Sequence, residues 1–309
     1  MAKIIYFGNE QLAQGIKAKT PIFDALLDND YEIVALILPT ANTRKPFPID
    51  LKAKANHIPV HYTKDTSEIL NIINQTQPDI GILAAFSKFI PTSILEAIPN
   101  GIINIHPSLL PKYRGTTPIE SALLNGDEFA GVSVMRLVKA MDAGPTYAQG
   151  EVKITDQTTK QSLYEHLANL GAKLLIDVLP GILAKTAPES PQDDAQATFT
   201  TPLDKSLSLL KTDSKSAQEL VCEVKAFAGF PKSKLNLCGK NCTITAAHSA
   251  NQPKSELDQL CADGKYLVID QLIPENSKPM TAEAFLNGLK NQEQKILRQK
   301  RRIFKSLDF

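Results

Sequence analysis

The amino-acid sequence predicts an α/β protein: an open, mostly parallel sheet with helices on both faces, followed by a small C-terminal β-barrel domain. Three observations predict it. Short apolar runs alternate with amphipathic stretches through the first half of the chain, the pattern of right-handed strand–helix–strand crossovers. Asp79–Ala85 (DIGILAA) is a near-continuous apolar run, as a parallel strand covered on both faces requires. After residue 216 a capped helix gives way to short strands at close intervals, which suggests a small barrel. At 309 residues the chain exceeds what one ordinary core holds, so two domains are expected.

Taken in order, Lys3–Gly8 reads as a buried strand and Pro21–Leu27 as a helix packed by Ile22, Phe23, Leu26 and Leu27. Tyr31–Leu38 is a second strand, Ile49–Asn56 a helix, Ile58–His61 a short strand, and Ser67–Gln75 a helix with Ile69, Leu70, Ile72 and Ile73 on its apolar face. Asp79–Ala85 follows as a strand, then a helix capped by Thr92 or Ser93 with Glu96 completing a capping box. Gly101–Ile105 and Gly131–Val138 are further strands, and Thr159–Ala184 is a long helix with Leu163, Leu167, Leu170, Leu174 and Leu175 in one stripe. Residues 186–203, rich in Pro, Ser, Asp and Gln, have linker composition, dividing the chain into domains at 1–185 and 204–309. In the second domain Ser216-Ala-Gln-Glu219 opens a helix by a capping box, and Lys234–Leu237, Cys242–Ala246 and Tyr266–Ile269 are strands.

Composition narrows the function. An apolar fraction of 43% with 22% charged residues describes a soluble globular protein. No apolar run approaches the roughly 18 residues of a membrane helix, and the N-terminus lacks the parts of a signal peptide, so a cytoplasmic protein without a membrane partner is expected. Cys238 and Cys242 have a spacing that could suit zinc, but no matching Cys/His pair follows, so reduced thiols and no metal are expected. Residues 204–309 carry 17 Lys and Arg against 12 Asp and Glu, whereas residues 1–203 carry 17 against 21. A basic C-terminal third hints at a polyanion partner, but on charge alone lysine-rich solubility is the preferred reading. Gly8 to Gly15 lacks phosphate-loop spacing and no G-x-G-x-x-G follows a strand, which argues against a nucleotide cofactor.

The informative stretch runs from Asn104 to Gly115 (NIHPSLLPKYRG). A buried strand ends at Ile105, and strand alternation puts Asn104 and His106 on the same side, at the carboxyl edge where open α/β sheets hold ligands. An amide beside an imidazole is costly to bury without partners. His106 alone would read as a structural histidine, but the pair and the loop after it point to chemistry. Asp142, in Val138–Gly144, sits just past a strand in a glycine-assisted turn, where an aspartate can also serve only its own backbone.

Asn-x-His, Ser-Leu-Leu-Pro, Tyr-Arg-Gly and Asp-Ala-Gly, in this order between Gly101 and Gly144, resemble the formyltransferases that use 10-formyltetrahydrofolate. The resemblance implies a Rossmann-like formyltransferase fold, catalysis by Asn104, His106 and Asp142, and a folate co-substrate. It places Ser108, Leu109, Leu110 and Pro111 in the folate pocket, with the Phe86–Ile90 segment (Phe86 and Ile90) as the wall for the pterin ring.

Ser216–Phe227 with Gly229-Phe230-Pro231, and the Gln271–Leu289 stretch, resemble the OB-like C-terminal domain of the branch whose acceptor is methionyl initiator tRNA. That implies a transferase of translation initiation, expected as a monomer. Arg44 and Lys45 stand where that branch carries a longer basic loop to the acceptor arm. Arg298, Arg301 and Arg302 lie in a basic tail that could contact phosphates. Two other readings remain open from the residues: formylation of an amino sugar-nucleotide or another small amine, and a non-catalytic tRNA- or folate-binding protein.

Overall fold

A computed structural model of the chain describes residues 1–39 and 46–291. The chain forms two compact units, Met1–Leu203 and Asp204–Phe309. The first contains strands β1 (Lys3–Phe7), β2 (Glu32–Leu38), β3 (Val60–Tyr62), β4 (Ile80–Leu83), β5 (Ile102–His106), β6 (Phe129–Arg136) and β7 (Thr146–Lys153). Its helices are α1 (Pro21–Asp28), α2 (Pro48–Ala55), α3 (Thr66–Thr76), α4 (Thr92–Glu96), α5 (Pro118–Leu124) and α6 (Lys160–Leu183). Among the described residues the strands form one seven-stranded sheet in the order β3-β2-β1-β4-β5-β6-β7. Pairings from β3 to β5 are parallel; β6 pairs antiparallel with β5 and with β7. Strand order reverses direction at β1–β4, and the carboxyl ends next to such a switch point are where open α/β sheets bind ligands.

The two faces of β5 have different tasks. Ile105 and its neighbour Val132 on β6 lie against Gly171 of α6. The other face carries Ile102, packed with Ile5, Phe7, Ile37, Leu83 and Ile94, and further along it Asn104 and His106. Helix α6 starts at a capping box between Thr159 and Ser162 and buries Leu163, Tyr164, Leu167, Ala168 and Leu175. Contrary to the reading of apolar runs in the sequence, this helix is long and apolar enough to span a membrane by length and composition. Ten of its 24 residues are buried within the first unit.

Local structure departs from the sequence reading at three further places. Helix α4 is N-capped by Pro91, with Thr92 already in its first turn, so neither Thr92 nor Ser93 makes a side-chain cap. Strand β7 and helix α5 are additional; β7 is half-exposed at the sheet edge, where no apolar run marks it. Residues 186–203 belong to the first unit. Their polar side chains and backbone hydrogen-bond to its loops, as when Ser190 and Thr146 exchange two backbone bonds of 2.9 Å.

The second unit contains α7 (Ala217–Ala226) and strands β8 (Ser233–Leu237), β9 (Lys240–Ala250), β10 (Gln259–Leu260), β11 (Tyr266–Pro274) and β12 (Met280–Thr281). The strands form an antiparallel sheet, β10-β11-β9-β8 with β12 beside β11, curled into a half-barrel. The Ser216–Glu219 capping box starts α7, whose Leu220, Val221 and Val224 pack on Leu237, Ile244, Leu267 and Leu272. All four cysteines are free, and Cys238 is exposed whereas Cys242 is buried.

Beside the carboxyl edge of β1, Glu10 is fully buried and accepts hydrogen bonds from the Ile22 and Phe23 backbone N–H groups at 3.0 and 2.8 Å and from the Tyr6 hydroxyl at 2.9 Å. Thr20, the N-cap of α1, makes no side-chain cap, so Glu10 satisfies the helix's first-turn donors instead. Burial outweighs these bonds and holds the Glu10 carboxyl up at about 7. A proton is therefore bound more tightly in the folded than in the unfolded chain. The stability this contributes is complete below about pH 4.5 and lost as pH rises through about 7. Relative to Glu10→Gln, the wild type should lose roughly 3 kcal/mol between pH 4.5 and 8, read from urea unfolding followed by circular dichroism. Parallel pH profiles for the two proteins would contradict the assignment.

Candidate active site

Strand β5 ends in two buried polar residues, Asn104 (6% exposed) and His106 (4%). Burying them is tolerable because each finds a partner in loops laid over the strand end. The His106 Nε2 lies 2.9 Å from the Tyr113 carbonyl oxygen. A carbonyl can only accept, so Nε2 carries the proton and Nδ1 is the nitrogen turned toward the rest of the site.

The loop after His106 is pinned to β6 through Ser133, the cross-strand partner of His106. The Ser133 hydroxyl donates to the Ser108 carbonyl at 2.6 Å and accepts from the Leu110 N–H at 3.1 Å and the Gln149 amide at 2.8 Å. Gln149 also donates to the Leu110 carbonyl at 2.9 Å. The loop's far end is fixed through Tyr113, whose hydroxyl donates to Asp127 at 2.7 Å and accepts from Asn125 at 2.8 Å. Burial, reinforced by Asp127, pushes this phenol up to about 12, so it stays protonated and the tie holds.

Asp142 reaches the same place from the β6–β7 connection. Its Oδ2 accepts the Gly115 N–H at 2.8 Å; its Oδ1 faces the Asn104 side-chain amide at 3.4 Å and His106 Nδ1 at 3.7 Å. Asp142 has φ +48°, a left-handed conformation that is uncommon for a residue with a side chain. Two glycines permit the approach. Gly115 has φ +117° and a Cβ there would meet Thr200 Oγ1 at 2.4 Å, while a Cβ on Gly144 would meet the Arg136 carbonyl oxygen at 1.9 Å.

An amide donor, an imidazole nitrogen and a carboxylate thus converge at the carboxyl edge of a parallel strand, where a donor can stabilise charge on the oxygen of a carbonyl under attack and a base can take up a proton. The formyl transferase family pattern matches residues 20–179. Methionyl-tRNA formyltransferase of Latilactobacillus sakei is 32% identical to this chain, over 94% of it and 96% of the relative's length. The chain belongs to the formyl transferase family. Methionyl-tRNA formyltransferase of Dictyoglomus thermophilum is also 32% identical, over 93% of this chain and 96% of its own. Among solved structures, the N-formyltransferase from Helicobacter canadensis, in complex with folinic acid and dTDP-3-aminofucose, superposes with a TM-score of 0.66 at 17% identity, covering 87% of this chain and 99% of that one. HypX from Aquifex aeolicus in complex with tetrahydrofolic acid superposes with a TM-score of 0.64 at 14% identity, over 92% of this chain and 46% of that one. Both share the formyltransferase fold.

The other residues singled out in the sequence lie in several settings. Ser108 is buried, its hydroxyl donating to the Lys112 carbonyl at 2.6 Å. Leu109 packs across Gly131 of β6, and Leu110 is buried, while Pro111 is partly exposed. Phe86 and Ile90 are core side chains, Phe86 meeting Phe7 edge-to-face at 5.6 Å. The aromatic that their loop exposes is Phe89. Arg44, Lys45, Arg298, Arg301 and Arg302 lie outside the described residues. Ser133, Gln149, Arg114 and Gln192 escaped the sequence reading; Arg114 alone carried a signal, as the middle of Tyr-Arg-Gly.

Because Ser133 uses its full hydrogen-bonding capacity, Ser133→Ala strands a buried N–H and a buried carbonyl. It should cost about 2 kcal/mol, read as a lower urea midpoint at unchanged slope. An unshifted midpoint would contradict the pinning role.

Proposed function

We propose that Asn104, His106 and Asp142 transfer the formyl group of 10-formyltetrahydrofolate to the free amine of methionyl initiator tRNA, the step that supplies formyl-methionyl-tRNA for translation initiation. The observation that carries this reading is resemblance along nearly the full length of methionyl-tRNA formyltransferases, second unit included. A sugar-nucleotide acceptor or a non-catalytic binding role has no comparable support. Acting on an aminoacyl-tRNA places the enzyme in the cytoplasm.

The neutral amine attacks the formyl carbon; the new N–C bond forms as the carbonyl oxygen takes up negative charge. Asn104 Nδ2 donates to that oxyanion without titrating, and its present bond to Asp142, at 3.4 Å, is long enough to yield. His106 Nδ1 is the second group facing the developing charge, its other nitrogen committed to Tyr113. The one proton leaving the amine passes, directly or through water, to the Asp142 carboxylate and the His106 Nδ1 beside it. Collapse breaks the bond between the formyl carbon and N10 of the folate, and the proton passes to that nitrogen.

The folate fits the carboxyl edge of β4 and β5. The loop after β4 exposes Phe89, an apolar surface for a flat ring, beside the strand that carries Asn104. Phe86 and Ile90 back this loop from the core, and Ser108–Pro111 shape the opposite rim. Arg44, Lys45, Arg298, Arg301 and Arg302 supply positive charge for the tRNA backbone.

Purified protein given 10-formyltetrahydrofolate and a panel of acceptors should formylate methionyl initiator tRNA and leave amino sugar-nucleotides unmodified. Formylation of a sugar amine in preference to the tRNA would overturn the acceptor assignment.

A further inference from the structure

Residues 190–201 form a strap along the site, and one of its side chains grips the loop that carries Asp142. The Gln192 amide nitrogen donates to the Asp142 carbonyl and to the Gly144 carbonyl, both at 2.7 Å. Its amide oxygen accepts from Arg114 Nε at 3.1 Å and from Arg114 Nη2 at 2.8 Å. Two donors and two acceptor positions are all a carboxamide has, so Gln192 is fully used. Its orientation is settled by chemistry: carbonyls on one side only accept, and a guanidinium on the other only donates. Arg114 is buried, and its Nη2 also donates to Asp194 at 2.6 Å, so two strap residues fix the guanidinium.

The rest of the strap holds the opposite side of the site. Tyr113 N–H donates to Thr198 Oγ1 at 2.8 Å, Arg114 N–H to the Thr198 carbonyl at 2.9 Å, and Thr200 N–H to the Arg114 carbonyl at 2.9 Å. Those bonds hold the backbone that offers the Tyr113 carbonyl to His106 and the Gly115 N–H to Asp142. Like Tyr113 at φ +59°, Asp142 has a left-handed backbone at φ +48°, and the carbonyl that Gln192 binds belongs to Asp142 itself.

We propose that Gln192 is a positioning residue for formyl transfer. Its carboxamide, oriented by Arg114, holds the Asp142 backbone in the left-handed conformation that turns the carboxylate toward Asn104 and His106. This inference rests on the reading of Asp142 as part of the reacting centre.

Gln192→Glu is the discriminating variant, because a carboxylate still accepts from Arg114 but offers nothing to the two carbonyls. Its kcat should fall about 10- to 100-fold, as for displacement of a reacting group by a fraction of an ångström, with KM for folate and for tRNA changed by less than about 3-fold. Stranding two carbonyls should lower its melting temperature by about a few degrees, so kcat is compared well below that transition; Gln192→Ala should show the same split between kcat and KM. In an Asp142→Asn background, itself impaired, adding Gln192→Glu should cost less than about 2-fold, because the two changes act through one carboxylate. A merely structural role would instead give additive losses that follow the melting temperature. Wild-type kcat in Gln192→Glu beside an impaired Asp142→Asn would overturn the positioning role alone. Wild-type kcat in Asp142→Asn would overturn the reading of Asp142 and the inference with it. Undiminished loss in the double variant would show that Gln192 acts elsewhere.

Discussion

The site depends on one interaction, the Asp142 carboxylate seated on the Gly115 N–H with its second oxygen toward Asn104 and His106. Asn104 and His106 are fixed by strand geometry and cannot move far without dismantling the sheet. Asp142 arrives on a turn, in a backbone conformation that costs on the order of 1 kcal/mol or more for a residue with a side chain. Everything around it supports that placement. Gly115 and Gly144 leave room for close backbone approach, Ser133 and Tyr113 anchor the intervening loop, and the strap closes over both segments. On the proposed function, a site so held needs little reorganisation when charge develops in it, the usual main source of electrostatic catalysis.

The sheet was legible in the sequence because burial on both faces leaves an apolar run that little else produces. Asp79–Ala85 and Gly101–Ile105 mark β4 and β5 to within a residue or two. The pairing of Asn104 with His106 followed from alternation alone. Their meeting with Asp142 did not, since contact across 36 to 38 positions depends on a register and a turn that no local pattern encodes. Strand β7 escaped because an edge strand with a half-exposed face has no apolar signature. The capping reading at Thr92 failed because Pro91 enters the helix first and takes the cap position, whereas Ser216 and Glu219 form the box their spacing suggests.

The strap carries the sharper lesson. Pro, Ser, Asp and Gln between 186 and 203 read as linker because they offer nothing to a hydrophobic core. The same residues are what a hydrogen-bonded tie requires: Gln192 and Thr198 bind backbone groups that would otherwise be stranded near the site. Composition therefore separates chain that packs from chain that does not, but it is blind to polar segments recruited by other backbone. Phe86 and Ile90 illustrate the converse. The resemblance gave them only to a ring-binding wall, whereas both are core side chains, Phe86 in T-shaped contact with Phe7.

On the proposed function, Asn104 contributes to the chemical step and not to holding the folate. Single-turnover transfer of labelled formyl to methionyl initiator tRNA, with enzyme in excess and donor saturating, measures that step directly when set beside equilibrium binding of the folate. Asn104→Ala should slow transfer by about 100-fold or more, the usual loss for one oxyanion donor, and leave folate affinity within a few-fold of the wild type. Weakened folate binding with an unchanged transfer rate at saturation would contradict it.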